Sequence, residues 1–436
     1  SARQSQEGEH KLPRSYRLVR CHLVNYPLIS VHQTTSEPEL TRARRRPLVL
    51  ILLVSSTLTV MAGATIAPTL PTMEAAFSHV PHSELLTRLV LTIPALFIVL
   101  GSPLIGLMVD RMGRKPVLMA ATLLYGVAGA SGSVLPSLYL ILAGRALLGI
   151  AVAGVMTAAM TLIADYFVGR DRQKIMGWQI AAGGFGGVLF LLAGGLLADL
   201  DWRFPFLIYL IAWALLPFHQ VIIREPSITE SGESAGLSLI RAMPISFLAM
   251  IYGFVFMTMG VFYMIPVHFP FYLPKVIEGS ASTSGLAIAF TTLSQALTST
   301  CYGYVRTKLS SVQIMPIGFF AMGAGYLGIG LAHEFWMLAT ALVVGGIGMG
   351  LIMPNLAVWL SNAAPAGVRG RAMSGLTFSL FLGQFLSPIL SQPLIIAFSL
   401  AAAYQIVGAL LLLLIPAYIL GRGATSRWRE SRADSE

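Results

Sequence analysis

The sequence predicts an all-α integral membrane protein whose twelve spanning helices form two six-helix halves. Three observations predict it. Apolar runs of about 20 residues, the length that crosses a hydrocarbon core, recur along the chain. Nearly all charged residues lie between those runs, and the second half repeats features of the first.

Composition removes the main rivals. Of 436 residues, 56% are hydrophobic and only 11% charged, with a mean hydropathy of +0.75. A soluble domain carries about 25% charged residues, so a soluble enzyme and a disordered chain are both excluded. The net charge of +10 arises from 29 basic and 19 acidic residues. Nine of the basic residues lie before Pro47 and four after Gly421, a placement that suits lipid headgroups rather than nucleic acid. Cys21 and Cys301 stand alone, without CxxC or metal-ligand spacing, so no disulfide, metal site or cofactor is expected.

The apolar runs lie at 47–70, 86–108, 116–135, 138–163, 175–198 and 204–223 in the first half. In the second they lie at 245–268, 284–304, 313–332, 336–360, 372–395 and 399–420. Helices are the spanning form, because barrel strands alternate in polarity and runs such as Ala409 to Ile415 do not. Loops after even-numbered spans hold Arg111, Arg114, Lys115, Arg170, Arg172 and Lys174 in the first half. Arg224, Arg241, Arg306, Lys308, Arg369 and Arg371 follow; loops after odd-numbered spans hold only Arg88, Arg203 and Lys275. Positive charge stays inside, so the even loops and both termini are expected in the cytoplasm. The cluster Arg42, Arg44, Arg45 and Arg46 before span 1 agrees, as does the basic tail.

Domain limits follow. Residues 1–46 form a polar extension without the order of a cleaved signal peptide. The halves are 47–224 and 245–420, joined by a Ser-, Glu- and Gly-rich linker at 225–244 and followed by a tail at 421–436. Displacing the second half by 197 positions superposes Gly106 on Gly303, Arg111 on Lys308, Arg172 on Arg369, Lys174 on Arg371, and Gly149 on Gly346. Parallel six-helix repeats are a layout of secondary transporters, with the substrate site between them near the midplane.

The loop after span 2 carries the most specific signal: Gly106, Asp110, Arg111, Gly113, Arg114 and Lys115. Gly106 lets a neighbouring helix approach, Gly113 permits a tight turn, and Asp110 places a carboxylate where it can cap a partner helix N-terminus. A merely solvated basic loop would need neither Asp110 nor the two glycines at this spacing. The set resembles the GxxxDRxGR[RK] loop of the major facilitator superfamily and fills every position of it. Further resemblances are Arg145 to Gly149 on span 4, Ala164 to Phe167 at its end, Asp201 to Phe206 before span 6, and Gly345 to Gly350 followed by Pro354 and Asn355 on span 10. The resemblance covers about 47–420 and implies the major facilitator fold. It also implies a latch, with Asp110 against the start of span 11 near Arg371 and Arg114 against Asp165.

Arg145 lies about 12 Å into span 4 at 1.5 Å per residue. A buried guanidinium marks function by default, while an arginine held by backbone carbonyls to brace the helix is the plainer alternative. No Asp or Glu lies near the centre of any span, so the groups open to proton carriage are Glu74, Asp110, Asp165 and His268. Uncharged polar residues remain: Gln179, Tyr252, Tyr263, Gln295, Asn355 and Gln384. They could bind cargo or brace helices. Together with Arg145, five of them (Gln179, Tyr263, Gln295, Asn355 and Gln384) are the candidates for the cavity. Phe254, Phe256 and Phe262 on span 7, with Phe269 and Phe271 in the loop after it, suggest an aromatic, Met-rich cavity suited to amphipathic or lipophilic cargo.

The expectation is a secondary transporter of a bacterial inner membrane, a monomer partnered by small-molecule cargo, lipids and, where transport is coupled, protons. The resemblance favours export of a drug or metabolite. Uptake stays open, because Phe190 and Leu191 stand where the family's antiporter signature on helix 5 has Gly-Pro. A membrane enzyme would need an intramembrane cluster of His, Asp or Cys, which is absent from the sequence. A non-transporting receptor would have no use for Arg145 and the complete loop motif.

Overall fold

A computed structural model describes residues 42–225, 243–365 and 367–433, with side chains described for 45–225, 243–365 and 367–419. Most of the expected N-terminal extension and linker lies outside the described residues. The described chain is helical. Helices α1 to α6 are Arg42–Ala64, Ser83–Met112, Arg114–Ala130, Leu138–Tyr166, Gly169–Ala198 and Ile211–Ile222. Helices α7 to α12 are Ile245–Val276, Ala281–Lys308, Ser311–Leu331, Phe335–Ala363, Arg369–Ala397 and Leu400–Ala433. A 3-10 turn and a short helix, Leu70–Ala76, extend α1, and the 3-10 segment Phe204–Leu210 leads into α6.

Among the described residues, eleven helical segments are long and apolar enough to cross a membrane. Helix α8 is as long, at 28 residues, but carries Thr291, Thr292, Ser294, Gln295, Thr298, Ser299 and Thr300 along its middle. Its polarity belongs to the site described below. Many helices run past the apolar windows, because a polar terminal turn still makes helical hydrogen bonds. Helix α1 therefore starts at Arg42 rather than 47, and α7 runs through Pro266, Pro270 and Pro274 to Val276. Phe269 and Phe271 thus lie in a helix, not in a loop. Prolines are tolerated there because packed neighbours and local adjustments of the helix satisfy freed backbone groups.

Hydroxyls inside the apolar helices bond their own backbone. Ser55, Ser56 and Thr65 of α1 donate to the carbonyls of Ile51, Leu52 and Met61, so these three are satisfied within the helix. Helices α8 and α9 open with capping boxes, Ser280 with Thr283 and Ser310 with Gln313.

The two halves pack alike. In the first, α4 lies on α2 and α3, and α1 on α5; in the second, α10 lies on α8 and α9, and α7 on α11. The halves meet along α5 with α8 and α2 with α11. Glycines brought together by the 197-residue displacement do the same work. A Cβ on Gly149 would strike the Pro94 carbonyl of α2, and one on Gly346 would strike Thr291 and Ser294 of α8. A second correspondence escapes that displacement. Tyr125 and Tyr209, 5.7 Å apart, donate to the Leu58 and Ala62 carbonyls of α1. Tyr326 and Tyr404, 5.8 Å apart, donate to the Val261 and Met264 carbonyls of α7.

Candidate functional site

The α2–α3 loop is held by the ends of α4 and α6. Gly113 sits at φ +94°, which favours glycine, and a Cβ there would lie 2.7 Å from the Glu225 carboxylate. That carboxylate accepts the backbone N–H groups of Arg114 at 2.6 Å and Lys115 at 2.7 Å, closing the N-terminus of α3. Lys115 Nζ donates to the Gln220 carbonyl at 2.8 Å, and Arg114 Nε to Asp165 Oδ2 at 3.0 Å. The Tyr166 hydroxyl accepts from the Arg224 N–H and donates to the Arg224 carbonyl. Glu225, the first residue of the expected linker, therefore docks onto the first half. Only its position beside Arg224 and Pro226 marked it in sequence, and that did not suggest a cap.

Arg111 is exposed, and so is Asp110, which has no side-chain partner among the described residues; it caps no helix in this conformation. Gly106 has nothing within 4 Å of a notional Cβ. The expected close helix approach there is thus absent in this conformation. Gly177 of α5 and Gly303 of α8 likewise face open space.

The opposite end is sealed. A Cβ on Gly195 would meet Ser282 Cα at 2.8 Å, and one on Gly285 the Leu191 carbonyl at 2.6 Å. The Ser282 N–H lies 3.3 Å from both Asp199 oxygens. Arg88, expected in a loop, is buried in α2 with its side chain 7% exposed. Its guanidinium lies 3.8 Å from Glu74 and from Glu84, and stacks on Phe271 of α7 at 4.8 Å. Gln392 of α11 donates to Glu84 at 3.3 Å. The Glu84–Arg88 spacing of i, i+4 was the available signal. Nearby, His268 is buried, its Nε2 2.7 Å from Ser391 Oγ.

Between the ends lies a cavity of about 520 Å³ lined by both halves. It reaches Met176 on α5 and Ser299 on α8, toward the motif end. Met156, Met160, Met176, Met259 and Met349 line it, with Phe262, Tyr263 and Phe381. Its polar groups include Gln179 of α5, Gln295 of α8, and Gln384 of α11. Phe254 is elsewhere, against Phe319 and Tyr418.

Two expected cavity residues do not reach it. Asn355 is fully buried, accepting from Tyr302 at 3.0 Å and donating to the Ser311 carbonyl at 2.7 Å. It ties α8, α9 and α10 together, because a carboxamide inside an apolar bundle is stable only when its groups are paired. Arg145, 1% exposed, stands behind the wall. It donates to the Val90 carbonyl at 3.0 Å and to the carbonyl of Ala62, and lies 5.2 Å from the Tyr209 ring centre. No cluster of His, Cys, Asp or Glu able to hold a metal occurs among the described residues.

A family model described as Major Facilitator Superfamily matches residues 52–279 and again 269–435. The tetracycline resistance protein, class C, of Escherichia coli is 28% identical over 87% of this chain and 97% of its own length. The bacillibactin exporter of Bacillus subtilis (strain 168) is 26% identical over 81% and 92%. Among solved structures, the nucleoside transporter NupG superposes with a TM-score of 0.72 at 12% identity, over 86% of this chain and 99% of its own. A bacterial homologue of the human lysosomal transporter Spinster, in an inward-facing and unoccupied conformation, gives 0.69 at 16% identity, over 87% and 96%.

Proposed function

This chain belongs to the Major Facilitator Superfamily, and from that premise we propose that it exports a small amphipathic or lipophilic molecule across a bacterial inner membrane by alternating access. Its family and fold are those of multi-pass membrane transporters, not of enzymes. The observation that carries the proposal is the cavity lined by both of two similar halves, closed at one end by contacts across the halves, with Gly106, Gly177 and Gly303 facing open space at the other. The basic loops support a cytoplasmic location for the motif end and for both termini; in this reading the cavity faces inward, ready to load. Resistance and exporter relatives support the outward direction.

In this reading Gln179, Gln295, Gln384 and Tyr263 hold the cargo. Asp110 and Gly106 receive the start of α11 when the cytoplasmic end closes. Arg114, paired with Asp165, and Glu225 keep the motif loop rigid while that happens. Arg145 anchors α4 to α1 and α2 beside the cavity. The chain works as a monomer among lipids, with protons as the driving ion. Uptake is the second reading, favoured by Phe190 and Leu191 in place of the antiporter Gly-Pro on α5. Everted membrane vesicles with an imposed pH gradient test the proposal. Cargo should accumulate inside them and leave when the gradient is collapsed; accumulation in right-side-out vesicles instead establishes uptake.

A further inference from the structure

We infer that the cargo crosses without a positive charge: the cavity takes a neutral molecule bearing carbonyl or hydroxyl groups along one edge, and it rejects cations. The inference rests on the proposal that this cavity is the cargo site, and adds the chemical class that the site accepts.

The first observation is the lining. Among its described residues there is no Asp, Glu, Lys, Arg or His. The second is the charge behind the wall. Arg145 is buried, and one of its acceptors, the Ala62 carbonyl, belongs to a residue of the lining. No carboxylate pairs with it among the described residues; its partners are two carbonyls and an aromatic ring, and Nη1 is buried without a hydrogen bond. A fixed positive charge without a counter-charge therefore borders the cavity. The acids that could offset it are committed elsewhere or remote. Glu74 and Glu84 share Arg88 at the sealed end, Asp165 holds Arg114, and Asp110 is exposed at the motif loop.

A cation entering this space loses hydration, meets no carboxylate and is repelled by Arg145. An anion is attracted at a distance, but the guanidinium is 1% exposed and two of its N–H groups already bond carbonyls, so no direct pairing offsets desolvation. A neutral molecule incurs neither cost. Its apolar body lies against the methionines, whose flexible thioethers adapt to shape and favour aromatic rings. Its polar edge meets three carboxamides, each offering donors and an acceptor. Because Gln179 comes from the first half and Gln295 and Gln384 from the second, one edge of the cargo touches both halves.

The test uses two planar probes of the same size, neutral N-methylacridone and the permanent cation N-methylacridinium. Their binding to the full chain in nanodiscs is titrated by fluorescence, with empty nanodiscs subtracted. N-methylacridone should bind at least about tenfold more tightly, since an unpaired charge inside a membrane protein is strongly disfavoured. Gln384→Glu should narrow that ratio by about tenfold by supplying the missing carboxylate, whereas Gln384→Leu should weaken N-methylacridone alone. Equal or tighter binding of the cation overturns the inference, and so does binding of neither probe. Vesicle flux separates the two claims. Outward transport of the cation refutes the charge class and leaves export standing, whereas inward transport of the neutral probe does the reverse.

Discussion

The two ends of the bundle are built from different bonds. At the motif end the bonds are short, 2.6 to 3.0 Å, and each stays within one half: Glu225 with the start of α3, Arg114 with Asp165, Arg45 with Asp171. At the sealed end the bonds between halves are long and shared, 3.3 Å for Asp199 with Ser282 and for Glu84 with Gln392. In the proposed alternating-access cycle, strong bonding is placed where nothing has to move, and weak bonding where the halves have to part. Each weak contact is worth about 1 kcal/mol or less, so a few of them hold one state while leaving it reversible.

The comparison breaks most decisively if the sealed end can be fixed shut without harm. In a Cys21→Ser, Cys301→Ser background, Asp199→Cys with Ser282→Cys, joined by a short bifunctional thiol reagent, should abolish transport, with recovery on cleaving the link. Undiminished flux by the linked protein would show that this end never opens. Next in size is Gly113→Ala. Its positive φ and the adjacent Glu225 carboxylate leave no room, and thermal unfolding should report a loss of about 1–3 kcal/mol.

Arg114→Ala should cost about 1–2 kcal/mol, since Asp165 is left partly buried without its partner. Combining it with Asp165→Asn should cost less than the sum of the two, measurable as a double-mutant cycle. Arg88→Gln should loosen the sealed end by about 1 kcal/mol or less, roughly a fivefold shift toward the outward-open form. Thiol labelling of Ser282→Cys reads that shift; unchanged labelling would remove Arg88 from the seal. Gly106→Ala should leave stability within about 0.5 kcal/mol, because open space surrounds it in this conformation, yet slow transport. Normal transport would mean that no helix closes on Gly106.

Much of this architecture is legible in the chain itself. Runs of apolar residues disclose the helices because lipid admits no unpaired backbone, and the matched glycines disclose the repeat because close helix crossings recur at equivalent places. Helix α8 is legible as a span despite the polar residues along its middle, which a helix facing a cavity needs and one facing lipid would not carry. The site was legible only as residue types. Gln179, Gln384 and Asn355 are the same kind of polar interruption in sequence, yet the first two face the cavity and the third is enclosed among three helices. Glu225 carried no sign of its partners, which lie far away along the chain, and Arg88 showed only Glu84 on its own helix, not Glu74 or the Phe271 ring.

Local chemistry along the chain by itself determined the helices, their number and their pairing into halves, since solvation of a backbone in lipid is decided residue by residue. Which polar groups meet, which end is shut and what sign of charge borders the cavity were decided only by the tertiary structure. Those properties depend on distances between helices, and electrostatic and packing energies change steeply over a few ångströms.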